Sequence, residues 1–343
     1  MTERGPDLEI IATVSAKRAG RHWITGLAGA GATYFRINGA FESIETIRRM
    51  VKTIQKGWTK GRAPIWLDVP RNKIRIAADR PRSTFKMGQA IRLGLGDVNF
   101  PAFFRPLHRG DVLYAKDSTY RFTVERRTES SAVLRAEQDG AIAPGMGLHR
   151  KGGWDKLPLM TLRDLELVEL ARQYDVPYLG ISYLRHSSEI DEIRKVVGPR
   201  IKPIFKIETW HAYNELPKIL GQLDTISIDR GDLSSEIGIE NIHTAVRRIM
   251  RSAHRRKIKI FLATQFLSNM IRNPLPSISE VTSLHEAFED GVHGIQLSEE
   301  TAAGLFPIAS VHWLRSLFAA WGRRSTGRLG SIPLRSHALD RQR

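Results

Sequence analysis

The chain has 343 residues, 41% hydrophobic and 26% charged, with a formal net charge of +17. It is long enough for a large core and exceeds the roughly 250 residues of a simple eight-stranded α/β barrel. With no cysteine it has no disulfide, cysteine nucleophile or thiolate metal centre. Without an apolar membrane span or a signal-peptide core in its first ten residues, it is expected to be cytoplasmic, with no membrane partner.

Short hydrophobic runs recur at residues 10–15, 34–38, 65–68, 178–184, 202–208, 225–232, 258–265 and 294–300, and nearly every one ends in a polar or charged residue. Helix-like stretches separate most of them. Eight such alternations predict an α/β fold of the (β/α)8 TIM-barrel type, whose active site collects at the carboxyl ends of the strands. In chain order, residues 22–30 read as a helix ending in glycine. Ser43 and Glu45 start the next, with Ile44, Ile47, Met50, Val51 and Ile54 at helical spacing.

The third strand, 65–68, is followed by no helix. Residues 70–153 instead hold short alternating stretches at 111–114, 120–125 and 132–136, separated by Gly, Pro, Asp and Ser turns. They predict a small β-rich domain inserted in the barrel and able to act as a lid. The barrel therefore occupies residues 1–69 and 154–321. In its second part Thr161 with Asp164 opens a helix, and further helices are expected at 188–197, 210–220, 239–256, 279–290 and 307–320. Residues 322–343 are arginine-rich without periodicity and are expected to be a mobile tail.

The positive charge is unevenly distributed. The tail sets six arginines against Asp340, and residues 71–110 set nine basic residues against Asp79 and Asp97. A basic rim beside a pocket attracts phosphorylated metabolites as readily as nucleic acid. No nucleic-acid motif accompanies it, so nucleic acid is set aside as a partner.

The polar strand ends suggest a pocket containing Arg36, Asn38, Asp68, Lys206, Glu208, Arg230, Asp232 and Thr264. Glu208 and Asp232 end consecutive strands about 4.8 Å apart, so both carboxylates could reach one hard cation such as Mg²⁺. Lys206 lies on the face of Glu208 and could stabilise charge developing on a substrate oxygen. An internal ion pair of Lys206 with either acid is the competing structural reading. Gly231, in Asp229-Arg230-Gly231-Asp232, suits a tight turn whose N–H groups bind an anion. Arg36 and Arg75 offer fixed charge to phosphate.

The runs Phe205-Lys206-Ile207-Glu208, Arg230-Gly231-Asp232-Leu233, Ala263-Thr264-Gln265 and Ser298-Glu299-Glu300-Thr301 resemble, in order and spacing, the signatures of the pyruvate kinase family. Ser182-Tyr183-Leu184-Arg185, Phe35-Arg36-Ile37-Asn38, Leu67-Asp68 and Ile74-Arg75 fit as well. The resemblance implies Mg²⁺-dependent (or Mn²⁺-dependent) transfer of phosphate from phosphoenolpyruvate to ADP, the glycolytic step giving pyruvate and ATP. It implies that Glu208 and Asp232 hold the divalent ion and that Lys206 stabilises the phosphoryl group and the enolate. Arg36 and Arg75 would grip phosphate, while Ser182, the Gly231–Asp232 backbone and Thr264 would contact substrate. Lys151 resembles a nucleotide-contacting lysine of the lid. The chain stops soon after the eighth helix, so the family's C-terminal domain and its effector sites are expected to be missing; a homo-oligomer stays open.

Departures from the family pattern cluster at one end of the pocket. Asn38 and Asp68 would ligate K⁺, but Ala40 and Val69 replace two hydroxyl ligands and weaken the case for that ion. Phe41 replaces a nucleotide-contacting histidine, and Ser277-Ile278-Ser279-Glu280 lacks a Thr-Arg that closes over substrate. Pro70-Arg71-Asn72-Lys73 reverses the charge of its last position, and Arg71 and Lys73 would stand in for potassium. An intact metal end beside an eroded nucleotide end leaves two alternatives, a metal-dependent lyase or aldolase acting on a keto-acid enolate and a non-catalytic binding protein.

Overall fold

The computed structural model describes residues 8–116, 118–154 and 157–324. The expected runs form parallel strands β1 (Glu9–Thr13), β2 (Tyr34–Asn38), β3 (Ile65–Val69), β4 (Tyr178–Ile181), β5 (Lys202–Lys206), β6 (Thr225–Asp229), β7 (Lys259–Ala263) and β8 (Gly294–Leu297). They pair in the order β1-β8-β7-β6-β5-β4-β3-β2 and close into a barrel. Strands wrapped by helices outside and filled with side chains inside are buried on both faces. They therefore read as continuous apolar runs, as in the wholly buried Ile65–Val69.

The barrel interior is layered. Ile11, Trp66, Ile204 and Phe261 form a small core of their own with Tyr34 and Tyr178 packed on it. Edge-on ring contacts, Tyr34 to Tyr178 at 5.3 Å and Trp66 to Phe261 at 5.4 Å, plug the barrel below the polar strand ends. The main core lies between the strands and the helix ring.

The first helices are α1 (Arg21–Ala30) and α2 (Ile44–Gly57), the latter begun by Ser43 accepting from the Thr46 N–H. Helix α3 (Leu162–Gln173) opens with a reciprocal capping box between Thr161 and Asp164. Beyond α4 (Glu189–Val197), the helix expected at 210–220 divides into α5 (Trp210–Asn214) and α6 (Leu216–Leu220), with Pro217 in the first turn of the second. The turn expected at Gly231 is instead the start of α7 (Arg230–Ile237), followed by α8 (Ile242–His254). In α9 (Ile278–Glu289), Ser277 and Glu280 form another capping box, so the segment that departs from the family pattern serves as a helix start. Helices α10 (Glu299–Ala302) and α11 (Pro307–Arg324) complete the ring, and the tail expected beyond 322 lies largely outside the described residues. No helix among the described residues is long and apolar enough to cross a membrane.

Between β3 and α3 the chain builds a five-stranded sheet of Leu148–Arg150, Val112–Ala115, Tyr120–Arg127, Ser131–Ala136 and Ala90–Gly94, in that order, together with the pair Ser83–Phe85 and Gly140–Ile142. Its core, containing Leu93, Phe103, Phe104, Phe122, Leu134 and Trp154, is separate from the barrel core. The insertion rests on α7, where the Gly152 N–H donates to the Glu236 carbonyl at 2.8 Å and Ser118 Oγ lies 2.9 Å from the hydroxyls of Ser234 and Ser235.

Candidate functional site

The site begins with a buried ion cluster. Asp68 on β3 accepts from Arg36 Nε at 2.8 Å, Trp66 Nε1 at 2.7 Å and Lys206 Nζ at 2.7 Å, and pairs with Arg36 Nη2 at 2.7 Å. Register explains the meeting, because β2 and β3 align Arg36 with Trp66 and Asn38 with Asp68. Gly180 on β4 leaves the room, since a Cβ there would collide with both Asp68 and Trp66. Burial opposes charge on Asp68, yet Arg36 and Lys206 outweigh it and hold its pKa below the ordinary value. Burial likewise opposes charge on Lys206, and Asp68 and Glu208 overcome it, so its pKa is raised and the ammonium stays charged.

This arrangement revises two expectations about pairing. Lys206 is an ion-pair partner of Asp68 at 2.7 Å and of Asp229 at 4.0 Å, not of Glu208 or Asp232. Asp68, expected to take potassium, already has three side chains on its carboxylate, and Asn38 Oδ1 accepts from the Ala40 N–H at 3.1 Å. These donors leave little for a monovalent cation.

Glu208 lies two residues beyond β5, Asp229 ends β6, and Asp232 lies in the first turn of α7. Among the described residues these three offer carboxylate oxygens within 4.8 Å of one another. Glu208 accepts the Tyr183 N–H on Oε1 at 2.7 Å, while its buried Oε2 has no hydrogen-bond partner among the described residues. Burial and the neighbouring Asp232 and Asp229 push its pKa up to about 8 against the pull of Lys206. Asp232 is the opposite case. Burial disfavours its charge, but Lys73 and His149 prevail and hold its pKa well below the usual carboxylate range. An orphaned carboxylate oxygen beside two further acids is a donor set that fits a hard divalent cation.

The insertion contributes the opposing wall. Lys73 pairs with Asp232 Oδ1, and His149 Nε2 lies 3.2 Å from the same oxygen. Burial lowers the His149 pKa, so the neutral ring donates from Nε2 to Asp232 and accepts the Tyr183 hydroxyl on Nδ1 at 2.8 Å. Tyr183 holds a left-handed backbone, φ 56°, that presents its N–H to Glu208. Arg71 does not join Lys73 in the pocket. Its guanidinium donates to the carbonyls of Leu159 and Tyr183 at 2.8 Å each and pairs with Glu189 at 3.0 Å, which anchors the strand-to-insertion linker to α4.

The remaining candidates are scattered around this centre. Arg75 donates to the Gly145 carbonyl at 2.9 Å and stacks its guanidinium 4.9 Å from the centre of the exposed Phe41 ring. Ser182 is buried at the end of β4, with its N–H on the Val69 carbonyl. The Gly231 carbonyl accepts from Ser234 and Ser235 within α7. Thr264 (φ 80°) and Gln265 (φ 58°) are both left-handed, and the Thr264 hydroxyl donates to Asp229. Arg230 secures that turn through the carbonyls of Thr264 and Gln265 and lies over Phe266, 3.7 Å from its centre. Lys151 points to Glu240 at 2.8 Å, at the insertion's edge rather than among the acids.

Asp229, His149 and Tyr183 were not singled out from the sequence. Asp229 lies inside the apolar run 225–232 that ends in Asp232, and that position is its only sequence signal. His149 lies in a three-residue strand with no pattern of its own.

The family model described as pyruvate kinase, barrel domain, matches residues 6–311. A pyruvate kinase of Borreliella burgdorferi is 26% identical over 321 residues, covering 90% of this chain and 67% of that protein. Those of Aeropyrum pernix and Methanocaldococcus jannaschii are 27% and 29% identical, over 92% and 73% of this chain and 70% and 57% of theirs. The chain thus matches between 57% and 70% of the length of these relatives.

Proposed function

The chain belongs to the pyruvate kinase family, and from that premise we propose a divalent-cation-dependent phosphotransferase that moves phosphate from phosphoenolpyruvate to ADP, or to another acceptor, and releases pyruvate. The observation that carries this reading is the meeting of Lys206 with Glu208, Asp229 and Asp232 at the carboxyl ends of β5 and β6. Phosphoryl transfer asks for in-line placement and for screening of the oxygens that gain charge. Mg²⁺ or Mn²⁺ held by Glu208 and Asp232 would supply that screening.

The chain's own residues do the rest. Lys206, kept charged by Asp68, stands against the enolate oxygen as its bond to phosphorus breaks, and Arg36 holds phosphate oxygens. Asp68 fixes both cations before substrate arrives, so little reorganisation accompanies the reaction. Arg75, Ser182, Gly231 and Thr264 complete the substrate contacts. The insertion acts as a lid that excludes water, and Lys151 exchanges Glu240 for a nucleotide phosphate. The crowded Asp68 and the Lys73 ammonium on Asp232 favour turnover without potassium.

A coupled assay for pyruvate, with phosphoenolpyruvate, ADP and Mg²⁺, tests the reading in the presence and absence of K⁺. Turnover under both conditions is expected. No pyruvate with any divalent ion or nucleoside diphosphate would refute it, and carbon–carbon cleavage of a keto acid without nucleotide would identify a lyase instead.

A further inference from the structure

Each of the three acids at the centre takes its hydrogen bonds on a single oxygen. Glu208 Oε1 takes the Tyr183 N–H and leaves Oε2 buried without a partner among the described residues. Asp232 receives Lys73 and His149 on Oδ1. Asp229 receives the Thr264 hydroxyl on Oδ1, and its Oδ2 lies 4.0 Å from Lys206. Three second oxygens from three carboxylates are what a hard cation takes from a protein while retaining water for its other positions. We propose that Asp229 is a third protein ligand of the divalent ion, held in place by Thr264.

The proposal rests on the metal-dependent reading above, which gives the ion to Glu208 and Asp232, and adds Asp229 to those two ligands. Besides the acids' proximity, the orphaned and wholly buried Glu208 oxygen supports it, since a cation would satisfy that atom. The Thr264 hydroxyl on Asp229 would then fix the ligand's orientation.

The test uses the full chain and Mn²⁺ alone, without phosphoenolpyruvate or nucleotide, in a titration followed by electron paramagnetic resonance and water-proton relaxation. Saturable binding at one site is expected. Asp229→Ala, which removes the oxygen altogether, should weaken it about tenfold and add one water to the bound ion, whereas a purely long-range charge effect would leave the water number unchanged. Thr264→Val should weaken it about threefold. Glu208→Ala, which tests the metal site itself, should weaken it at least tenfold. Wild-type affinity or an unchanged water number in Asp229→Ala, with Glu208→Ala impaired, overturns the role of Asp229. Wild-type affinity in both overturns the metal site as well. Should Asp229→Ala not fold, Asp229→Ser and Thr264→Val decide the matter, and wild-type Mn²⁺ binding in whichever folds refutes the proposal.

Discussion

Glu236, on helix α7 beneath the insertion, provides a measurable link between the site's electrostatics and folding. Its side chain is 1% exposed, its Oε2 accepts the Trp210 N–H at 2.8 Å, and burial raises its pKa from 4.5 to about 8 despite that hydrogen bond, with Asp232 adding to the rise. The folded protein therefore keeps a proton that the unfolded chain releases above about pH 4.5. A raised acid favours folding fully only below its unfolded pKa, and that contribution is lost as pH rises towards the folded value near 8. Each pH unit between these limits costs about 1.4 kcal/mol, so this one group removes about 2 kcal/mol between pH 5.5 and 7. Glu236→Gln keeps an acceptor for Trp210 and cannot ionise. In urea unfolding of metal-free protein, its stability relative to wild type should rise by about 2 kcal/mol across that interval, with the other titrating groups cancelling in the difference. Parallel stability–pH curves for the two proteins would show Glu236 already ionised in the fold and would refute the reasoning.

The buried ion cluster and its surroundings give three further expectations. Asp68→Asn leaves Arg36 and Lys206 without their shared carboxylate, and urea unfolding should register a loss of about 3–5 kcal/mol; a loss below 1 kcal/mol would mean that water reaches the cluster. Gly180→Ala drives a methyl group into Asp68 and Trp66, so it should melt far below wild type, and a wild-type melting temperature would contradict the packing. Lys206→Met should abolish pyruvate formation yet leave Mn²⁺ affinity equal or tighter, because it removes a cation from beside the acids; retained turnover would remove Lys206 from the mechanism.

The barrel was legible in the sequence because a doubly covered parallel strand must be apolar throughout, and a strand end at a pocket must be polar. Runs such as Ile65-Trp66-Leu67-Asp68 therefore mark both the strand and its polar end. The caps at Ser43 and Thr161 were legible for a local reason, since a side-chain acceptor meets an N–H three residues on. Helix α7 escaped notice because residues Gly231 to Ile237 are all buried, which erases the one-sided apolar stripe that reveals a surface helix. With the helix unseen, Asp232 was assigned to a strand end and Asp229 to nothing.

Residue order thus determined the eight strands and their polar ends, because those follow from chemistry a few residues wide. Partners were decided by the tertiary structure. Asp68 meets Arg36 from 32 residues away and Lys206 from 138, and Asp232 meets Lys73 from 159. No local pattern encodes such pairings. Barrel closure and the seating of the insertion on α7 bring these charges within a hydrogen bond's reach, and burial then fixes which carboxylates stay ionised, which keep a proton and which oxygen is left without a partner.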